Sequence, residues 1–309
     1  MNNSLCKAKL PNSSSTALQV KDPLYSATIV NIVFNSCLCY TTIVLNIVTI
    51  CALRKTSSLP NLFKTLLLSL AVSDLGVGLL GQPLYLAYLD VKLQCNLSNR
   101  PILVASTRVI LNIFYLSSFC SVMALSADRF FAIQKPLRCQ NVVTHKRVIT
   151  VVTAIWSLSV LLGLFFVFVL PGKITIVIIL MIESVCFGAT TWSSYKICKT
   201  ARQHNIQIQS QTRINSGMLN IVSLRKSAQS TLFIYVAFWV CYLPHFILSC
   251  HLIYAGGTMT SSTLNEFFKT LVLLNSSLNP VIYCWRIRNI RHAIMETLQN
   301  VRWRQFCGR

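Results

Sequence analysis

The chain has 309 residues, 54% hydrophobic and 11% charged, and its 28 lysines and arginines against 7 acidic residues give a net charge of +21. That balance excludes an ordinary soluble domain. The apolar residues come in long uncharged runs rather than at amphipathic spacing, so the chain is expected to cross a membrane several times.

Residues 1–24 are polar and lack the apolar core and small-residue cleavage site of a signal peptide, so the first apolar run should serve as its own insertion signal. Seven runs follow: Tyr25–Leu53, Leu62–Leu89, Pro101–Ile133, Val148–Leu170, Ile174–Ile197, Ala228–Tyr254 and Leu264–Trp285. Each is near or above the ~20 residues that a helix needs to cross hydrocarbon. Between them the longest polar stretch is Thr200–Leu224, and the connection around Pro171, Gly172 and Lys173 is very short. After the last run, Ile287, Ile290, Ile294, Leu298 and Val301 recur at helical spacing opposite Arg288, Arg291 and His292, the pattern of a short helix lying on a membrane surface. Cys307 beyond it is either a palmitate site or a plain thiol. The expected architecture is all-α: an extracellular tail over 1–24, a seven-helix membrane bundle over 25–285, and an amphipathic helix and tail over 286–309.

The positive charge invites a nucleic-acid reading, and its placement argues against one. With the N-terminus outside, most of the basic residues fall on the cytoplasmic side, among them Arg54, Lys55, Lys64, Arg138, Lys146, Arg147, Lys196, Lys199, Arg225, Lys226, Arg286 and Arg288. This bias sets the expected orientation. Asn2, Asn12 and Asn96 stand in glycosylation sequons on the outer side, whereas Asn275 heads one inside the last span that should stay unmodified. Most of the 13 cysteines lie in spans as small apolar residues; Cys6, Cys95 and Cys250 reach the oxidising side, where a Cys6–Cys95 bridge is one reading.

Polar groups inside hydrocarbon are costly and by default point to function. The main ones are Asn46, Asp74, Arg108, Asn112, Ser118, Asp128, Arg129, Glu183, Asn275 and Asn279, with Pro244 and Pro280 interrupting the last two spans. For Asn46 and Asn112 a purely structural role between helices competes on equal terms. No zinc-spaced His/Cys set, nucleophile elbow or phosphate-binding glycine loop occurs, so no enzyme is expected. A seven-span transporter or channel is the alternative class, but the chain has no paired half-repeats.

Several of these residues sit in recognisable company. Leu70-Ala71-Val72-Ser73-Asp74-Leu75, Asp128-Arg129-Phe130, Trp156, Phe238 to Pro244, and Asn279-Pro280-Val281-Ile282-Tyr283 match, in order and spacing, the signature positions of rhodopsin-like G-protein-coupled receptors, and the chain resembles that family along all seven spans. The resemblance implies roles. Asp74, Ser118, Asn275 and Asn279 would form a sodium pocket; Arg129 would pair with Asp128 at rest and later meet a heterotrimeric G protein; Tyr195 and Tyr283 would swing toward it on activation. Pro244 would be the hinge of the sixth helix, with Phe238 and Tyr242 at the switch.

Departures from the family pattern are equally specific. Phe130 replaces a tyrosine, Tyr242 a tryptophan, Phe187 a proline, and Leu224 stands where many members carry an acid that locks the arginine. Without that acid, resting restraint should weaken and basal signalling follow. Val104 and the cysteine-free loop around Gly172 leave out the family's outer disulfide. A short loop, no bridge and no fifth-helix proline resemble the branch of melanocortin receptors, with cannabinoid and lysophospholipid receptors as relatives. Melanocortin receptors carry outer acids for a basic peptide, whereas this chain has Leu84, Val104 and Arg108 there.

The ligand is constrained mainly by exclusion. Leu111 occupies the position of the amine-binding aspartate and Leu273 that of the retinal lysine, which disfavours both ligands. Arg108 lies about 30 Å from Arg129 along the third helix at ~1.5 Å per residue, near the outer mouth. There it would hold an anionic lipid or small acid in a bidentate pair, with a peptide as the other ligand class, snorkel to the interface, or pair with Glu183, which could instead meet a cationic ligand group. Tyr85, Asn112, Tyr242, His245 and Lys269 complete the expected pocket.

Overall fold

A computed structural model describes residues 23–56, 59–94, 96–134, 144–210, 216–255 and 259–307. Asn2, Asn12, Cys6 and Cys95 lie outside the described residues. Eight long helices dominate the described part, with a single 3-10 turn at Leu97–Asn99: α1 (Pro23–Lys55), α2 (Asn61–Leu93), α3 (Pro101–Gln134), α4 (His145–Phe168), α5 (Gly172–Ser210), α6 (Ser216–Ala255), α7 (Met259–Arg286) and α8 (Arg288–Cys307). The result is an all-α seven-helix membrane bundle followed by a short terminal helix. The end where α1 begins is called the near end, and the end where α7 passes into α8 the far end.

Length and composition alone make α1 to α6 long and apolar enough to cross a membrane, and α7 falls short. Its polarity is turned inward. Glu266, Thr270, Asn275, Ser276, Ser277 and Asn279 are all buried on α7, where it packs against α1, α2 and α6. A helix whose polar stripe faces its neighbours needs less apolar sequence to sit in lipid, because its costly groups find partners inside the bundle. The lipid-facing helices show the opposite pattern: α4 and α5 leave Leu161, Phe168, Met181 and Val185 exposed.

Helix α3 is central, packing against α2, α4, α5 and α6. Small residues bring its neighbours close. A Cβ on Gly76 of α2 would stand 2.2 Å from the Phe114 ring, and one on Gly163 of α4 would stand 2.6 Å from Ile113. Phe114 is in turn backed edge-on by Trp156, 6.2 Å away, whose indole N–H donates to Ser69 at 3.2 Å and ties α4 to α2. The short connection after α4 is fixed by Thr175, whose hydroxyl donates to the Phe166 carbonyl at 2.9 Å.

Two features differ from the sequence reading. The polar stretch Thr200–Leu224 is largely helical, because α5 and α6 run on beyond their apolar parts to Ser210 and back to Ser216. Helix α2 contains one turn of π-helix over Val77–Gly81, three residues after Asp74. The extra residue rotates the near half of α2 relative to the far half, and so turns Tyr85 and Leu89 into the core.

Candidate functional site

At the far end of α3, the Arg129 Nε donates to Asp128 Oδ2 at 2.9 Å. Both residues are buried. The guanidinium also lies over the ring of Phe63 on α2, 4.1 Å from its centroid, a geometry that suits a planar, weakly hydrated cation. Tyr283 is fully buried with its hydroxyl unpartnered. Tyr195 sits elsewhere: it is 61% exposed on α5, so the two tyrosines expected to converge on Arg129 stand on different sides of the bundle wall in this structure. The side chain of Leu224 lies outside the described residues.

Above that, an aromatic stack fills the middle of the bundle. Phe238 and Tyr242, one turn apart on α6, lie ring on ring at 4.0 Å, and Phe119 of α3 meets Phe238 edge-on at 4.8 Å. Phe187 packs 4.5 Å from Trp239, so the residue standing in the usual proline position joins α5 to α6 through rings. Both Pro244 and Pro280 lie inside continuous helices.

Beside this stack lies a polar floor. Asp74, Ser118, Asn275 and Asn279 are each at most 2% exposed. The Asn279 Nδ2 donates to Asp74 Oδ2 at 2.8 Å. Asp74 Oδ1, Ser118 Oγ, Asn279 Oδ1 and both side-chain polar atoms of Asn275 have no protein partner. Nearby, Asn46 of α1 donates to the Ser276 carbonyl at 3.0 Å. Orphaned buried atoms of this kind, one carboxylate with neutral oxygens, are the donor set that suits a hard monovalent cation and water. Among the described residues no group of three His, Cys, Asp or Glu stands together as a harder-binding metal site would require.

The near end holds a cluster that sequence reasoning missed. Glu266 of α7 is 5% exposed and is held by Lys92 at 3.1 Å, Lys269 at 3.2 Å and the Tyr85 hydroxyl at 2.9 Å. The same turn of α7 is fastened to α1: Asn35 donates to the Thr270 hydroxyl at 2.9 Å, and that hydroxyl donates to Asn31 Oδ1 at 2.7 Å. An acid inside the seventh apolar run was the available signal for Glu266. Nothing in the sequence pointed to Phe63, because one apolar residue among many carries no mark of the cation it meets.

The expected pocket residues divide accordingly. Tyr85 is 1% exposed and supports Glu266 from behind rather than lining a wall. Arg108 is exposed and Glu183 is buried with one carboxylate oxygen unpartnered, so the Arg108–Glu183 pair does not form. Leu111, Asn112, His245 and Lys269 are half-buried. Asn96 lies between α2 and α3, its side chain accepting from Asn99 at 2.7 Å.

Comparison with known proteins places this geometry in context. Residues 45–173 and 169–283 match the model of the rhodopsin family of seven-transmembrane receptors. Melanocortin receptor 5 of Mus musculus is 26% identical over 264 residues, covering 81% of this chain and 78% of its own length. The histamine H2 receptor of Canis lupus familiaris is 24% identical, covering 79% of this chain and 71% of itself. The adenosine receptor A2b of Gallus gallus is 23% identical, covering 83% and 84%.

Proposed function

Since the chain belongs to the rhodopsin family of seven-transmembrane receptors, we propose that it couples an extracellular ligand bearing an anionic group to a heterotrimeric G protein. Membership supports a G-protein-coupled, multi-pass receptor rather than an enzyme. The near end is then extracellular, the far end cytoplasmic, and the membrane the plasma membrane. The basic residues of the far end support that orientation.

The observation that carries the ligand class is the charge at the near end. Glu266 is already matched by two ammonium groups, so its cluster carries surplus positive charge before the exposed Arg108 is added. A carboxylate or phosphate suits such a mouth, with Arg108 as the bidentate partner and Lys269, one-third exposed, beside it. Asn112 and His245 are the half-buried polar groups below. Lys269 is committed to Glu266, which supports the exclusion of retinal, and Leu111 offers an amine no counter-ion. The names of the relatives carry a melanocortin, a histamine and an adenosine, so they favour no single chemistry and the reading rests on the site.

The switch reading rests on the far half. A ligand acts by binding the active bundle better than the resting one. Arg129, at present engaged with Asp128 and Phe63, is the group that meets the G protein once the far end of α6 tilts out about Pro244, where the helix lacks a backbone hydrogen bond. Phe238 and Tyr242 carry the motion from the pocket, and Tyr195 and Tyr283 close on Arg129. Asp74, Ser118, Asn275 and Asn279 would hold a sodium ion, whose charge offsets the buried carboxylate and favours the resting packing.

The test is G-protein activation in cells, basal and with a panel of fatty acids, lysophospholipids and small carboxylic acids, for the wild type, Arg129→Ala and Arg108→Gln at matched surface expression. A wild-type signal abolished by Arg129→Ala is expected, with loss of the response to the active acid in Arg108→Gln. A signal that survives Arg129→Ala would overturn the coupling role, and an active acid indifferent to Arg108→Gln would overturn the ligand site.

A further inference from the structure

In the resting state of many family members an acid on α6 locks the arginine of α3, and this chain has Leu224 there. Another contact joins α6 to its neighbour at the far end. The guanidinium of Arg286, in the last turn of α7, lies 4.2 Å from the ring centroid of Phe233 on α6 and 5.2 Å from that of Trp285. The Phe233 and Trp285 rings themselves meet edge to face at 5.2 Å and 74°. Among the described residues Arg286 has no carboxylate partner, and its Nε is buried without a hydrogen bond.

A half-buried guanidinium in this position is compensated by ring faces, the partners that its described neighbours supply. Trp285 and Arg286 belong to the same helix, so their contact survives any motion of α6. Phe233 is the member that crosses between helices. When the far end of α6 tilts outward, Phe233 must leave the guanidinium, and Arg286 then loses the ring that shields it. The mutual fit of Arg129 and Phe63 on α3 and α2, at 4.1 Å, is a second instance of the same chemistry one interface away. Helix α6 is also tied to α5 at this level, by the paired hydroxyls of Tyr235 and Thr191.

We propose that a guanidinium–aromatic clasp between Arg286 of α7 and Phe233 of α6 holds α6 in its resting position, in place of the α3–α6 ion pair that Leu224 precludes. The proposal builds on the receptor reading, which supplies the meaning of α6 motion, but the clasp itself is a property of the bundle. Phe233 acts as a positioning residue through Arg286, and what matters at position 233 is the ring rather than its volume.

The experiment uses the full-length protein in lipid nanodiscs, with spin labels on non-canonical amino acids replacing Lys146 on α4 and Lys226 on α6, and reads the distance distribution between them. Phe233→Leu removes the ring and keeps an apolar side chain, whereas Phe233→Tyr keeps the ring. Phe233→Leu and Arg286→Gln are each expected to raise the ratio of open to closed α6 roughly two- to fivefold. The double variant should go no further than either single one, and Phe233→Tyr should match the wild type. An unchanged distribution in Phe233→Leu, or an equal rise in Phe233→Tyr, overturns the clasp. If Phe233→Leu fails to fold, Arg286→Gln against the wild type reads the same contact from the other helix, with a rise supporting the clasp and no change overturning it. The readout needs neither ligand nor G protein, so failure of the clasp and failure of the coupling reading are seen separately.

Discussion

At the near end Glu266 has both carboxylate oxygens engaged, by Lys92, Lys269 and Tyr85, while in the middle of the same bundle Asp74 has one oxygen bound by Asn279 and the other left without a protein partner. Both acids are buried and both face α7 or sit on it, so the difference lies in what each asks of its surroundings. A closed cluster is a fixture: its groups are satisfied in one arrangement, and moving any of them exposes an uncompensated charge. An open cluster is a site. On the proposed function its orphan atoms would be satisfied by an ion that comes and goes, and the arrangement of α2, α3 and α7 around it would shift with the occupant. A rigid near end over an adjustable floor is the division that the proposed function requires of a switch driven from that end.

The strongest attack on this comparison is to open the closed cluster. Glu266→Ala leaves Lys92 and Lys269 beside each other without their acid, at a cost of about 3–5 kcal/mol for a broken buried pair. Surface expression should collapse and the melting temperature of the purified protein should fall by many degrees. Glu266→Gln, which keeps the Tyr85 bond, should fall between. Thermal unfolding of Glu266→Ala indistinguishable from wild type would mean that the lysines are solvated and the near end is no fixture.

How far the chain was legible follows from the same contrast. The seven spans and the terminal helix could be read in advance because hydrocarbon makes long apolar runs conspicuous; Asp74, Ser118, Asn275 and Asn279 stood out as polar groups inside spans, and their grouping came from the resemblance to the receptor family. Even α7, which falls short of the length-and-hydropathy mark that the other spans meet, was visible as the apolar run Leu264–Trp285. Glu266 was overlooked because it lies in the first turn of its run, where a charge reads as interfacial, and its partner Lys92 comes from a helix distant in sequence. The Arg108–Glu183 pair was plausible by charge and failed by direction, since α3 turns Arg108 to the exposed side while Glu183 is buried on α5. The π-turn of α2 and the placing of Arg286 on Phe233 depend on side-chain direction and interhelical distance, which no spacing rule supplies.

A smaller effect probes the open cluster. The wild type is expected to melt higher in sodium chloride than in N-methylglucamine chloride at the same ionic strength. At a sodium concentration ten times its dissociation constant the stabilisation is about 1.4 kcal/mol, which amounts to a few degrees. Asp74→Asn removes the carboxylate and should melt at one temperature in both salts. Equal melting of the wild type in the two salts would leave the floor without a cation, and its orphan atoms would then belong to water alone.

The smallest effect tests how loosely the floor is framed. Asn46 donates to the Ser276 carbonyl and so ties α1 to the segment of α7 that carries Asn275 and Asn279. In a membrane, removing one such interhelical bond costs on average about 0.6 kcal/mol, because the separated helices also find partners for their polar groups. Because Pro280 offers that carbonyl no N–H, Asn46→Ala should cost somewhat more than the average, about 1 kcal/mol, and lower the melting temperature by about two degrees, still far less than Glu266→Ala, although both residues are buried and both bridge to α7 or lie on it. The reason is charge: Asn46→Ala leaves behind one neutral carbonyl, which Pro280 four residues on cannot serve, whereas the acid leaves behind two ammonium groups. Should Asn46→Ala prove as damaging as Glu266→Ala, the floor would be a rigid frame, and the adjustable part of the receptor would have to be sought further along α7, toward Tyr283 and Arg286.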